Sequence, residues 1–162
     1  MTSSVQSGQG GARVRVPPPL VLLGLVLTGF VLRWVGVVPP PLPFSRTVQL
    51  VIGALLAAAG IALAVSARNL FAASGQDPRP WKPSPSLVLR GPYRFTRNPM
   101  YVGMFLLQIG IGLLSHNLWI VLLAVATLLI IHYTAVLHEE AYLEDKFGDD
   151  YRAFKRRVRR YL

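Results

Sequence analysis

The sequence has 162 residues, a length that suits one domain, and 52% of them are hydrophobic, which excludes an ordinary soluble protein. Lys and Arg outnumber Asp and Glu by 17 to 7, and in an apolar chain this excess favours anionic lipid headgroups over nucleic acid as the partner. The absence of cysteine excludes disulfides, thiolate metal sites, a cysteine nucleophile and lipidation on cysteine, and we predict no metal site.

The first half of the chain predicts a disordered tail followed by two membrane-spanning helices. Residues 1–16 are rich in Gly, Ser and Gln, a composition typical of disorder. Residues 20–38 form an apolar run whose helix would measure about 28 Å, close to the thickness of the hydrocarbon core. Residues 47–67 form the second run. Its small residues, which permit close packing against another helix, are Gly53, Ala57, Gly60 and Ala64.

The second half predicts a helical hairpin. Asn98 is a favourable N-cap and Pro99 a favourable first residue, so a third helix is expected over 99–114. A tight turn then leads to a fourth helix over 118–146, which Gly148 is expected to stop.

A last amphipathic helix is predicted over 149–161, and its basic composition suits a membrane surface. Its apolar face is expected to carry Tyr151, Phe154 and Val158, with Tyr161 or Leu162 at its end. The sequence therefore predicts an all-α integral membrane protein with about four transmembrane helices in a single domain, 17–162. Fifteen of the seventeen basic residues flank one side of this arrangement, so both termini are expected in the cytoplasm.

The stretch RGPYRFTRNPMYVG, residues 90–103, is basic and aromatic, and it lies where the third helix begins. Residues equally distant from the hairpin turn lie at similar depth, which places Arg94 near the level of Glu139. From Leu118 to Glu139 the helix would measure about 32 Å, so Glu139 is expected at the cytoplasmic boundary. This juxtaposition suits a small polar cofactor, with an apolar substrate arriving through the membrane.

The blocks GPYRFTRNPMYVG and EEAYLEDKFGDDYRAFKRRV resemble the isoprenylcysteine carboxyl methyltransferase and phospholipid methyltransferase superfamily, and the resemblance covers roughly residues 68–161. It implies an integral membrane methyltransferase that uses S-adenosylmethionine. The cofactor would lie in a cytoplasm-facing pocket that the C-terminal helices build and the tail closes. The resemblance implies cofactor contacts from Leu87, Val88, Tyr93, Asn98, Pro99, Met100, Tyr101, Glu139 and Glu140.

Two positions depart from the eukaryotic prenylcysteine enzymes of that superfamily. Those enzymes usually carry His where Asn98 stands. They also carry a substrate-facing Arg one turn before the cofactor glutamate, where this chain has Ala135. A prenylcysteine carboxylate is therefore disfavoured as the methyl acceptor.

Purely structural interpretations stay open for these residues. Asn98 can be a helix start alone, Glu139 and Glu140 a solvated helix end, and Arg97 a topology signal. The two tyrosines, at 93 and 101, can be interfacial anchors. His132 lies inside a predicted span, where ionisable groups are costly, and can line a substrate pocket or bond to a neighbouring helix. His116 lies in the predicted turn and is given no role.

Three functions follow from the sequence. The first is methyl transfer from S-adenosylmethionine to a lipophilic or membrane-delivered acceptor. The second is an NADPH-dependent membrane reductase, because sterol reductases share a related helical core. The third is a non-enzymatic protein that binds anionic lipid. For the reductase, the phosphate contacts would come from Arg79, Lys82, Arg90 and Arg94.

Overall fold

The computed structural model describes residues 12, 14, 16–39, 41–42, 44–75, 77, 82 and 84–161. Within them the structure is helical, with one isolated β-bridge and no strand, so the predicted all-α fold is confirmed. The elements are α1 (Pro18–Trp34), α2 (Arg46–Ala73), a short 3-10 helix (Gly91–Arg94), α3 (Pro99–Leu114), α4 (Leu118–Ile131), a π-helical turn (His132–Val136) and α5 (Leu137–Arg157).

Two helical stretches are long and apolar enough to cross a membrane by length and composition. They are α2, with 28 residues, and the continuous stretch Leu118–Arg157, with 40 residues. The apolar helices α1 and α3 have 17 and 16 residues, or about 26 and 24 Å. Crossing by these two shorter helices stays a prediction.

The packing of α2 against α3 depends on glycines in both helices. A Cβ atom added at Gly60 would lie 2.5 Å from the carbonyl oxygen of Gly103, and one added at Gly103 would lie 2.6 Å from that of Gly60. Near the other end, a Cβ atom at Gly110 would lie 2.6 Å from the nitrogen of Ala57. The prediction that small residues permit close helix packing is confirmed, and this contact places the start of α3 beside the end of α2.

Helix α1 spans Pro18–Trp34 rather than the expected 20–38. Gly36 has a φ of 82°, and the N–H of Val37 donates to the carbonyl of Leu32 at 3.0 Å. This is the Schellman arrangement, in which a left-handed glycine ends the helix. The prediction followed the apolar run and overlooked the glycine inside it.

Helix α2 runs six residues beyond the expected end at residue 67. Arg68 and Asn69 are polar but compatible with a helix, and the first left-handed residue after them is Gly75, with a φ of 68°. The extension is important for the site because it carries Phe71 beyond the apolar part of the helix.

The predicted stop at Gly148 is confirmed, because its φ of 50° and ψ of −121° are non-helical and divide α5 into two helical segments. The second segment begins at Asp149, as expected, but it ends at Arg157 rather than at residue 161, and its orientation also differs from the expected one. Beyond Arg157 the chain is extended, and Arg159 forms a parallel bridge with Thr96. The apolar face contacts the protein interior instead of a membrane surface, since Tyr151 is 2% and Phe154 6% exposed.

The predicted disordered tail also needs correction at its end. Residues 1–11 lie outside the described part of the chain. Ala12, however, is 3% exposed, and Val14 is partly buried against an apolar cluster of the bundle. Ala12 and Val14 therefore pack on the protein before α1 begins.

Candidate functional site

One cavity lies where α2 ends, α3 begins and the two halves of α5 meet. The segment that connects α2 to α3 supplies a further wall. All nine residues expected to contact a cofactor line this cavity: Leu87, Val88, Tyr93, Asn98, Pro99, Met100, Tyr101, Glu139 and Glu140. The structure thus brings together two blocks that are about 40 residues apart in sequence. That these residues bind a cofactor stays a prediction.

Tyr93 lies in the 3-10 helix and is held by packing. Its ring meets the ring of Phe71 edge to face, with 5.5 Å between centroids. Its hydroxyl is buried and has no hydrogen-bond partner among the described residues. Burial, and secondarily the nearby charge of Glu139, raises the pKa of Tyr93, so the hydroxyl keeps its proton and can donate.

Glu139 meets Tyr101 across the hairpin. The Tyr101 hydroxyl donates to Oε1 of Glu139, and within the described chain Oε2 accepts no hydrogen bond. Sequence reasoning placed Arg94 at this level, but Arg94 is exposed and Tyr101 reaches the carboxylate instead. Among the described residues, one carboxylate oxygen in the cavity wall therefore has no hydrogen-bond partner.

Glu140, the next residue, forms ion pairs with two arginines. Its Oε1 lies 2.9 Å from Nη1 of Arg97, and its Oε2 accepts from Nη2 of Arg160 at 2.8 Å. The side chains of Arg97 and Glu140 are only 9% and 8% exposed. The hydrogen bonds to Glu140 raise the pKa of Arg160, which keeps its charge. Glu140 therefore forms a buried ion pair and also lines the cavity.

The C-terminal tail lies against the segment before α3. The N–H of Arg97 donates to the carbonyl of Arg159 at 2.9 Å, and the carbonyl of Arg160 accepts from Thr96 Oγ1 at 3.1 Å and Asn98 Nδ2 at 3.0 Å. Asn98 occupies the N-cap position, but its side chain makes no capping hydrogen bond. One of its two amide N–H groups fixes the tail, so a second N–H and the side-chain oxygen are left for another partner.

His132 also contacts the tail. Its Nδ1 lies 2.8 Å from the hydroxyl of Tyr161, and its ring packs edge to face on Tyr133 at 4.9 Å. His132 does not belong to the described lining of the cavity. A role in substrate binding stays a prediction, and the observed partner lies in the tail rather than in a neighbouring helix.

Several lining residues were missed by sequence reasoning. Arg97 was treated as a possible topology signal, and the periodic aromatic residues of the tail were assigned to a lipid surface. The length of α2 brings Phe71 to the cavity, and the change of direction at Gly148 brings Tyr151 and Phe154. The missed residues with the clearest contributions are Ala12, Phe71, Arg97, Tyr142, Tyr151 and Phe154.

Comparison with known proteins agrees with this geometry. A family described as "Phospholipid methyltransferase" matches residues 48–150, which is most of the chain. The chain belongs to the phospholipid methyltransferase family. The predicted superfamily is thereby confirmed, and the family together with the two long apolar helices indicates a membrane methyltransferase.

Two relatives are similar to part of the chain. An uncharacterized protein of Haemophilus influenzae is 38% identical over 63 residues, which cover 39% of this chain and all of that protein. A protein-S-isoprenylcysteine O-methyltransferase of Schizosaccharomyces pombe is 36% identical over 72 residues, or 44% of this chain and 30% of the yeast enzyme. No solved structure matches the chain.

Proposed function

We propose that this protein transfers a methyl group from S-adenosylmethionine to a lipophilic acceptor that reaches the cavity through the membrane. The observation that carries the proposal is a pair of buried polar groups in the cavity wall. Neither the Tyr93 hydroxyl nor Nε of Arg97 has a hydrogen-bond partner among the described residues. Buried polar groups are normally paired, so these two groups point to a polar ligand.

The residues present fit the parts of S-adenosylmethionine. The free oxygen of Glu139 suits its ammonium group or ribose hydroxyls. The guanidinium of Arg97 and the hydroxyl of Tyr93 suit its carboxylate. The apolar walls at Leu87 and Val88 suit its adenine ring. When bound, the cofactor supplies a methyl group activated by a sulfonium.

Methyl transfer of this kind requires alignment of the methyl donor and the acceptor more than it requires a general acid or base. Tyr93, Arg97 and Glu139 would hold the cofactor, which would supply the methyl group to an electron pair of the acceptor and would leave with the electrons of its carbon–sulfur bond. Such a displacement depends on a straight approach and on the exclusion of water. The aromatic walls at Phe71, Tyr151 and Phe154 exclude water from one side, and the bound tail restricts the other.

We further propose that all four apolar helices cross the membrane, with both termini in the cytoplasm. The distribution of basic residues supports this, since only Arg33 and Arg46 lie on the opposite side. The large exposed apolar side chains of α1, α2 and α4 support a lipid-facing surface. Reporter fusions at Met1 and Leu162 should report cytoplasm, and one at Leu42 the other side; opposite faces for the termini would refute the topology.

Exposed arginines of the tail supply a surface for anionic headgroups. Arg156, Arg157 and Arg159 are exposed and lie beside the predicted cytoplasmic boundary. Polybasic segments of this kind are attracted to anionic lipid. We expect binding to vesicles of phosphatidylglycerol to weaken as salt is raised.

The acceptor proposed here is a lipid rather than a prenylated cysteine. Ala135 is fully buried in an apolar cluster, so the position offers no cation for an acceptor carboxylate. Methyl transfer to a total lipid extract should exceed transfer to a farnesylated cysteine analogue. Efficient turnover of the analogue would contradict this assignment.

A cofactor-binding experiment tests the proposed function itself. S-adenosylhomocysteine should raise the melting temperature of the purified protein, whereas NADPH should not. Tyr93→Phe should weaken calorimetric binding of S-adenosylhomocysteine about threefold to tenfold, the net effect of one hydrogen bond, without lowering the melting temperature. A shift with NADPH alone would favour the reductase, and no shift with either would favour a lipid-binding protein.

A further inference from the structure

Two segments that are far apart in sequence lie side by side next to the cavity. Thr96 forms a parallel bridge with Arg159, and the N–H of Arg97 donates to the carbonyl of Arg159 at 2.9 Å. Just before Thr96, Arg94 is exposed and Phe95 is 77% exposed, and Arg159 is exposed as well. The bridge therefore places Arg94, Phe95 and Arg159 within two residues of one backbone contact, and we call these three residues the bridge surface.

The bridge surface lies at the level where the chain leaves the proposed membrane. Helix α3 begins four residues after Phe95. On the other segment, Tyr161 follows Arg159 by two residues, and its hydroxyl lies 2.8 Å from Nδ1 of His132. Seven residues, or about 10 Å of helix, separate His132 from Glu139 at the predicted cytoplasmic boundary. Both segments therefore run from the bridge surface toward the apolar part of the bundle.

The bridge surface is positively charged, and no acidic side chain among the described residues forms an ion pair with it. The acidic side chains pair instead with Arg97, Arg152, Lys155 and Arg160. Attachment of the tail brings Arg159 toward Arg94, so repulsion between the two guanidinium groups opposes the attached state. An anion bound at the bridge surface would remove that repulsion.

The exposed ring of Phe95 indicates what kind of anion fits. A phenylalanine ring has no polar atom, and its exposure to water is unfavourable unless an apolar phase covers it. Surfaces that combine basic residues with an exposed aromatic ring bind the headgroup region of anionic membranes, where the ring enters the acyl boundary and the cations meet phosphate. The combination of Phe95 with Arg94 and Arg159 therefore suits an anionic phospholipid rather than a soluble anion.

We infer that the bridge surface binds an anionic phospholipid of the cytoplasmic leaflet, and that this binding holds the C-terminal tail closed over the cavity. The inference rests on the proposed function and topology. The lipid acts as an effector and not as the methyl acceptor, because none of the three residues belongs to the described lining of the cavity. Arg160 attaches the tail to Asn98 and Glu140, which both line the cavity. A lipid that favours the attached tail should therefore strengthen binding of the cofactor, and the cofactor should strengthen binding of the lipid.

Calorimetry with S-adenosylhomocysteine on the full chain in nanodiscs tests the inference. Replacing part of the phosphatidylcholine by phosphatidylglycerol should tighten binding about threefold to tenfold. The double variant Arg94→Gln with Arg159→Gln should lose this gain, and Phe95→Ala should reduce it. Two controls should keep the gain. Arg68→Gln removes an exposed arginine of α2 that makes no bond to the tail among the described residues, and Phe44→Ala removes a ring that is 52% exposed at the opposite end of the bundle.

Digestion with carboxypeptidase, followed by mass spectrometry, gives a second measurement that needs no cofactor. Phosphatidylglycerol should slow the removal of Tyr161 from the unaltered protein, and the double variant should lose this protection. The inference is overturned if the double variant keeps the gain in affinity, if Arg68→Gln loses as much of it, or if soluble glycerophosphate produces it in neutral lipid. If the unaltered protein binds no S-adenosylhomocysteine in either lipid, the proposed function fails, while protection of Tyr161 still decides whether lipid holds the tail.

Discussion

At the end of the bundle that carries the α3–α4 turn, Arg46 Nη2 donates to the carbonyl of Leu114 at 2.9 Å, and Arg33 donates to that of His116. His116 in turn lies 2.6 Å from the side-chain oxygen of Gln49. At the cavity end, Arg97 is more deeply buried than either of these arginines, yet its Nε has no partner among the described residues. Among the described residues, the turn end supplies partners to the backbone carbonyls there, and the cavity end leaves buried polar groups without partners.

Both ends use polar residues of the same types. Those at the turn end stabilise the structure, and those at the cavity end are proposed to serve function. The carbonyls at the end of α3 lack partners within their own helix, and arginines from α1 and α2 supply them. At the cavity end a tyrosine and an arginine are buried without completing their hydrogen bonds, which costs stability unless a ligand completes them. We propose that unsatisfied burial among the described residues, rather than charge alone, marks the functional end.

The largest effect is expected from Glu140→Gln. The change leaves the buried guanidinium of Arg97 beside a neutral amide and weakens the attachment of Arg160. We expect a loss of about 3 kcal/mol in unfolding free energy, the low end for breaking a buried ion pair, since Arg160 is 35% exposed. Unfolding in detergent micelles measures it, with protease cleavage near residues 159–161 as a sign of tail release.

The matched control for this change is Glu144→Gln. Glu144 also pairs with a basic residue, Lys155, at 2.8 Å, but both side chains are about one third exposed. An exposed pair contributes little, so this variant should lose much less unfolding free energy than Glu140→Gln does. Similar losses in the two variants would show that Glu140 is no more than a surface acid.

The second effect concerns binding and not folding. Glu139→Gln should weaken binding of S-adenosylhomocysteine about tenfold to a hundredfold, the effect of losing a charge-assisted hydrogen bond of about 1.5–3 kcal/mol. The fold should survive, because the amide oxygen can still accept from Tyr101. Calorimetry on Glu139→Gln and Glu140→Gln measures the affinity for S-adenosylhomocysteine. Unchanged affinity in Glu139→Gln would mean that the acidic pair serves the fold alone.

Much of the fold could be predicted because runs of apolar residues indicate where these helices lie, and the residues that interrupt the runs indicate where the helices end. The bounds of α3 follow from Asn98-Pro99 and from the turn at residues 115–117, which are local signals. The additional length of α2 was not predicted, since polar residues after an apolar run are equally compatible with helix and loop. The break at Gly148 was predicted, but the inward orientation of the helix that follows it was not. Those two features bring Phe71 and Tyr151 to the cavity. Tertiary packing determines both of these features.

The candidate site shows the same division. The two sequence blocks predicted that Tyr93, Tyr101 and Glu139 belong together, and the structure places all three in one wall. Sequence could not predict that Glu140 would face two arginines while Glu139 faces the cavity. Adjacent helical residues differ by about 100° in direction, and only the positions of Arg97 and Arg160 settle which one is paired.

A third effect tests the close helix contact that positions Tyr101. Gly103→Ala places a methyl group 2.6 Å from the carbonyl oxygen of Gly60, so the backbones of α2 and α3 must separate. We expect a loss of about 1–3 kcal/mol in stability, as is typical of overpacking, with weaker cofactor binding. Gly24→Ala is the control, since no atom lies within 4 Å of its added methyl group. Equal stability in the two variants would argue against a close contact at Gly103.

The smallest effect is expected at the opposite end, where Arg46→Gln removes donors to the carbonyls of Leu113 and Leu114, at 3.3 and 2.9 Å. The interaction with Leu114 is exposed, so water can replace the guanidinium, and the loss should be about 0.5–1.5 kcal/mol in stability. Because these carbonyls belong to the structural end, the affinity for S-adenosylhomocysteine should stay within about twofold of the unaltered protein. The same substitution at the cavity end, Arg97→Gln, should lower both stability and affinity. If Arg46→Gln weakens cofactor binding as much as Arg97→Gln does, the two ends are coupled, and the division between a satisfied structural end and an unsatisfied functional end is wrong.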